Sequence, residues 1–114
     1  MKKIIGVLLL LTCINTVTCA KEITQVCANH ILVPTEMDAI KLKSQIQTFE
    51  DFSKYAKLYS SCPSGQRGGS LGCFGRGQMV KPFEKAAFEG EVGEVSDPIK
   101  TQFGYHLIWV TQKF

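Results

Sequence analysis

GYHLIWVTQK, residues 104–113, is the most strand-like run in the chain. Its side chains alternate, with His106, Ile108 and Val110 on one face and Tyr105, Leu107 and Trp109 on the other. VCANHILV, residues 26–33, has the same character near the other end. Asn29, Ile31 and Val33 share one face there, and His30 and Leu32 share the opposite one. Pro34 and Thr35 close that strand. The first and last elements are expected to lie side by side in one antiparallel sheet.

The stretch between them alternates helix signals with turn signals. Thr35 can cap a helix, with Asp38 three residues on. That helix is expected to turn Met37, Ile40 and Ile46 inward and to leave Lys41 and Lys43 in water. TFEDFSKYAKLYS, 48–60, is a second helix: Thr48 caps it, and Glu50 and Asp51 sit near its positive end. Phe49, Phe52, Tyr55, Ala56 and Tyr59 recur at three- and four-residue steps as one apolar stripe. SSCPSGQRGGSLG, 60–72, then turns twice, at Pro63-Ser64-Gly65 and at Gly68-Gly69. SLGCFGRGQ, 70–78, is a short glycine-punctuated strand. Pro82 suits the first turn of a third helix over 81–88, and Gly90 ends it. EVSDPIK, 94–100, is a brief extended segment. The order strand, helices, strand, helix, strand, strand describes an α+β domain, a four-stranded antiparallel sheet with helices around it.

With 114 residues the chain holds one domain and no repeats. Residues 1–20 read as a secretory signal: Met1-Lys2-Lys3, an apolar run from Ile4 to Ile14, and small residues before Lys21. The apolar run falls short of the ~20 residues of a spanning helix, so no stable membrane span is expected. A lipid anchor on Cys13 or Cys19 is the alternative, although Thr precedes each cysteine. The expected product is exported to a periplasm or the extracellular space. It comprises a short segment, 21–27, and a domain over 28–114. Without Lys2 and Lys3, 11 of the 13 basic residues remain against 10 acidic ones. That near-balance offers no clustered basic face for nucleic acid. Cys27, Cys62 and Cys73 remain, and their number leaves at least one thiol unpaired within the chain, with every pairing open.

HILV (30–33), SSCPSGQRGGSLG (60–72), GRGQMVKPFEKAAF (75–88) and TQFGYHLI (101–108) together resemble the parvulins, a family of peptidyl-prolyl cis/trans isomerases (rotamases). The resemblance runs from about Ala28 to Phe114 and is closest to the short bacterial branch. It implies a parvulin-like fold, a monomer and no cofactor or metal. By this resemblance His30 and His106 are the family's paired histidines beneath the active site. Cys62 holds the position of a Cys or Asp beside the substrate, and Thr101 is a hydroxyl that binds the histidine pair. Leu71, Met79 and Phe83 form the pocket for the proline ring, and Gln78 contacts the peptide backbone. Phe103 and Tyr105 shape the rim. The connection PTEMD after the first strand lacks the basic insertion of the phosphate-directed branch, so a preference for phosphoserine before proline is not expected. Cys73 departs from the family pattern.

The chemistry asked for is modest. Resonance puts the barrier to peptide rotation at ~18–20 kcal/mol. Raising exchange about 10²–10³-fold requires only ~3–4 kcal/mol. An apolar pocket, a few hydrogen bonds and a twisted bound geometry can supply that without a covalent intermediate. A position that accepts Asp argues against Cys62 as a nucleophile, although a Cys62–His106 thiol pair is conceivable. Plainer readings stand beside these. The histidines could simply fix the sheet through a shared proton, Met79 and Phe83 could be ordinary core, and Arg67 is either a solvated loop residue or a partner for an acidic residue before proline. Cys27 and His30 have metal-like spacing but point to opposite faces of a strand. The expected function is isomerisation of X–Pro bonds in unfolded or extended proline-containing polypeptides, assisting the folding of exported proteins. The alternative is a non-catalytic, peptide-binding chaperone module of the same fold.

Overall fold

The computed structural model describes residues 22–114; the leader expected over 1–20, with Cys13 and Cys19, lies outside them. The elements run β1 (Gln25–Val33), α1 (Glu36–Gln45), α2 (Phe49–Tyr59), a 3-10 turn (Pro63–Arg67), β2 (Ser70–Gly75), α3 (Lys81–Glu89), β3 (Ile99–Thr101) and β4 (Gly104–Lys113). The sheet has the order β2-β1-β4-β3, every neighbour antiparallel, so the first and last strands pair at its centre. It takes in Gln25–Cys27, which the sequence reading leaves ahead of the domain.

The central strands are covered on both faces. Ile31, Val33, Leu107 and Trp109 pack under α1 and α2, with Phe52 and Ala56. Val26, Ala28, Ile108 and Val110 pack on the other side with Phe74 and with Phe83, Ala87 and Phe88 of α3. The alternation read from the two strands holds, and each apolar set has its own layer of helix.

Helix starts follow their caps. Thr35 accepts from the Asp38 amide. Thr48 and Asp51 form a reciprocal capping box, which satisfies two amides that the helix leaves unpaired. The face of α1 differs from expectation. Met37 and Ile40 are 66% and 48% exposed, and the buried line is Ala39, Leu42 and Ile46. Apolar residues at 37, 39, 40, 42 and 46 fit two overlapping stripes, and burial follows the stripe holding the small residue. The stripe of α2 is narrower than expected. Phe52 and Ala56 are buried, Tyr55 is partly buried, and Phe49 and Tyr59 stand at exposed margins. Strand β2 stops at Gly75 rather than 78. Gly77 adopts φ 87°, and the Gln78 side chain accepts the Gly75 amide, which turns the chain toward α3.

Candidate active site

The sheet itself brings the two histidines together. Across β1 and β4, His30 lies opposite Ile108 and Leu32 opposite His106, so the histidines are diagonal neighbours on one face. Their rings stack at 5.1 Å with 18° between planes, and Nδ1 of His30 lies 3.0 Å from Nδ1 of His106. One of these nitrogens must carry the proton and the other must accept it. The outer nitrogens are engaged as well. His30 Nε2 is 3.0 Å from Ser64 Oγ, and His106 Nε2 is 2.8 Å from Thr101 Oγ1. With all four ring nitrogens bonded inside the protein, neither imidazole offers a nitrogen to a bound peptide.

Burial drives the pair toward neutrality. His30 is pushed down from 6.5 to about 4, first by desolvation and then by the charge His106 would carry. Desolvation lowers His106 too. A singly protonated pair keeps its shared hydrogen bond; a doubly protonated one sets N–H against N–H.

Cys62 joins this network at one remove. Ser64 Oγ donates to Cys62 Sγ at 3.3 Å while it contacts His30. Sequence reading missed Ser64, which is buried within the 3-10 turn and bridges thiol and imidazole. In sequence it is one of several serines in a turn, and only the turn's path reveals it. The same geometry removes the Cys62–His106 pair: both nitrogens of His106 are committed elsewhere. A hydroxyl is no base, and a thiolate nucleophile needs one nearby.

Backbone contacts hold the 60–70 loop against β1. The Ser61 amide donates to the Leu32 carbonyl at 2.7 Å, and Ser60 Oγ accepts the amides of Leu32 and Cys62. At the far end the His30 amide donates to Gly69 O at 2.8 Å, and Asn29 Nδ2 donates to Gly68 O. Gly69 has φ 85°, and a Cβ there would collide with the His30 carbonyl oxygen. The glycine therefore lets the loop close on the strand that carries the histidine.

Above the histidines lies an open cleft of about 460 Å³. His30, Cys62, Leu71, Gln78, Met79, Phe83, Phe103 and His106 line it, as do Leu32, Ser61, Pro63 and Val80, which sequence reading did not single out. Phe83 forms the floor. Its ring meets His30 edge-on at 5.5 Å and His106 at 5.1 Å. Phe103 stands 60% exposed at the rim. Gln78 spends its carbonyl oxygen on the Gly75 amide, so its NH₂ remains for a ligand carbonyl. Thr101 lies behind His106, and its hydroxyl also accepts the Phe103 amide at 3.1 Å. Tyr105 does not reach the rim. It sits on the opposite face of β4 and packs against the α1–α2 core, as the alternation of the strand requires. Arg67 is exposed and donates to Ser70 O. Among the described residues no Asp, Glu, Lys or Arg lines the cleft.

Among the described residues the cysteines left open by the sequence resolve into a Cys27–Cys73 disulfide and a free, partly buried Cys62. Cys27 is thus bonded to sulfur rather than set to share a metal with His30. Among the described residues no helix is long and apolar enough to cross a membrane.

Comparison with known proteins gives consistent matches. Residues 30–112 match the rotamase family, the PPIC-type PPIase domain. The chain is 56% identical over 87 residues to the foldase protein PrsA of Geobacillus kaustophilus, covering 75% of this chain and 31% of that protein. It therefore spans about a third of the length of the curated relatives it matches. Among solved structures it is similar to the peptidylprolyl isomerase PrsA of Bacillus cereus. There the TM-score is 0.75, with 45% identity over 81% of this chain and 36% of the other. NmPin, the parvulin of Nitrosopumilus maritimus, is matched over its whole length, 100%, and 81% of this chain, with TM-score 0.67 and 43% identity.

Proposed function

From the premise that this chain belongs to the PPIC-type peptidyl-prolyl isomerase family, the parvulins, we propose that the cleft binds an extended X–Pro segment and speeds rotation about its imide bond without a covalent intermediate. One observation carries the reading: an apolar cleft floored by Phe83 sits on a histidine pair whose nitrogens are all engaged within the protein. Such a site can hold a ring and can neither abstract nor deliver a proton through its imidazoles. Rotation requires neither. The bond to be turned is stiffened only by resonance, and apolar surroundings favour the twisted amide because it has less charge separation than the planar form.

The residues divide the work. Leu71, Met79 and Phe83 take the proline ring, and the Gln78 NH₂ fixes the peptide backbone beside it. Phe103 at the rim covers the residue before proline. Cys62 supplies a polar atom near the imide carbonyl, and Ser64 and Thr101 hold the histidines in register beneath. Without a basic side chain in the lining, the site has no partner for a phosphate. Phosphoserine before proline is therefore not preferred.

Clients are unfolded or extended proline-containing polypeptides met outside the cytoplasm. Support for export comes from the basic start and apolar run of residues 1–20, and from the Cys27–Cys73 disulfide, a bond that forms and persists in oxidising compartments. The domain acts as a monomer, since one chain furnishes the whole cleft; light scattering checks that. The main test is cis/trans exchange measured by NMR on a series of X–Pro peptides. Exchange accelerated roughly 10²-fold or more at micromolar chain is expected. Peptide binding without acceleration would hand the site to the non-catalytic chaperone reading.

A further inference from the structure

Cys27 and Cys73 face each other directly across β1 and β2, the disulfide joining a buried sulfur to one on an exposed residue. Strand β2 is an edge strand of six residues. Its pairing with β1 runs Gln25–Gly75, Val26–Phe74 and Cys27–Cys73, then skips to Asn29–Ser70. The skip sets two residues of β2, Leu71 and Gly72, against Ala28 alone on β1, and Leu71 lines the cleft. Gly72 adopts φ 70° there, which gives the bulge its shape. The bulge is pinned at one end by the Asn29 and His30 bonds to Gly68 and Gly69. At the other end the pins are the disulfide and the ladder pairs Val26–Phe74 and Gln25–Gly75. Next to Cys73, Phe74 packs at 6.1 Å from the Phe83 ring that floors the cleft.

We infer that Cys27–Cys73 is a thiol–disulfide exchange site for an external dithiol, and that its opening weakens peptide binding by loosening the bulge that carries Leu71. A dithiol's thiolate attacks Sγ of the exposed residue Cys73, and Cys27 Sγ leaves as a thiolate and takes up a proton. The second thiol of the reagent then displaces Cys73 Sγ, which is protonated in turn. Two electrons and two protons pass to the cysteine pair, and the reagent departs as a disulfide. Cys62 takes no part. It stays tied to Ser64 and the histidines, which are held to β1 and β4 by bonds that do not involve the disulfide. Binding through Leu71 therefore changes while the histidine network keeps its geometry.

The inference rests on the reading of the cleft as the peptide site. Its test uses the chain oxidised and reduced by dithiothreitol, with peptide mapping after alkylation to score each cysteine. Peptide affinity is titrated by NMR, and KM and kcat come from X–Pro exchange. In a Cys27→Ala/Cys73→Ala chain, dithiothreitol should change nothing, which separates the disulfide from Cys62. Reduction of the parent chain is expected to weaken binding and raise KM about tenfold, the low end of what an apolar contact in a pocket is worth, with kcat within about twofold. A monothiol should be trapped on Cys73 before Cys27. Equal affinity with the disulfide demonstrably open would overturn the proposal, as would a disulfide that resists dithiothreitol in the folded chain. Equal affinity beside normal exchange leaves the isomerase reading standing. A chain that binds no peptide in either state removes both.

Discussion

Acid should destabilise this domain through its histidines before it reaches the usual carboxylate range. His30 is held near pH 4 in the folded chain against 6.5 as an ordinary side chain, because burial strips its solvent and His106 sits against it. The unfolded chain therefore binds a proton that the native chain refuses, and stability rises with pH through this interval. His30's penalty is absent above about pH 6.5, grows as pH falls and is complete below pH 4. Between pH 7 and pH 5 it amounts to roughly 2 kcal/mol, and His106, shifted the same way by desolvation, adds to it. A domain of this size has of order 5–15 kcal/mol in total, so the loss is readily measured. Urea unfolding at pH 7, 6 and 5 should show the midpoint falling with an unchanged slope. In the same range ¹⁵N shifts of the wild-type His30 ring should report a neutral imidazole. A His30→Gln chain, though less stable at pH 7, should show a flatter pH dependence. A midpoint that does not move between pH 7 and 5, or a His30 ring that titrates near 6.5, would refute the argument.

The remaining expectations concern the cleft. Met79→Ala should reduce exchange at least tenfold with a small loss of stability, because Met79 is only partly buried; near-normal rates would remove it from the proline site. Phe83→Ala should lose both activity and roughly 3–5 kcal/mol of stability, since Phe83 is 3% exposed and packs on Phe74. Urea unfolding checks that loss, and Phe83→Leu is the better probe of function. Cys62→Asp should keep substantial exchange activity and Cys62→Ala part of it, measured under reducing conditions with mass spectrometry; a trapped acyl-enzyme and dead variants would restore the nucleophile. Peptides with phosphoserine and serine before proline should be turned over at comparable rates. A hundredfold preference for the phosphopeptide would contradict the uncharged lining.

The fold was legible where the chain repeats itself at short range. Alternation in 26–33 and 104–113 identified both central strands and assigned their faces, because each face meets its own layer of helix and must be apolar. Caps at Thr35 and Thr48 located two helix starts, since the cap's oxygen and the amide it satisfies lie three residues apart. Periodicity failed where two stripes overlapped. On α1 the larger side chains looked like the core and the small Ala39 decided otherwise. Tyr105 was misplaced for a different reason: the resemblance sent it to the rim, while the alternation of its own strand sends it to the other face.

The candidate site was legible only through the resemblance, and the reason is the separation of its parts. His30, Ser64 and His106 are 34 and 42 positions apart in the chain, and no local pattern relates them. They meet because β1 and β4 pair in a register that sets the histidines diagonally, and because Gly69 lets the loop close on His30. The role of the histidines likewise turns on where their nitrogens point. Two imidazoles in a cleft invite a proton-transfer reading, and the residue types alone cannot exclude it. Once Ser64, Thr101 and the Nδ1–Nδ1 contact account for every nitrogen, the pair becomes a rigid, neutral floor support. A neutral support suits a reaction in which no bond to hydrogen is made or broken, and a charged one would draw water into the cleft whose apolar character favours the twisted amide.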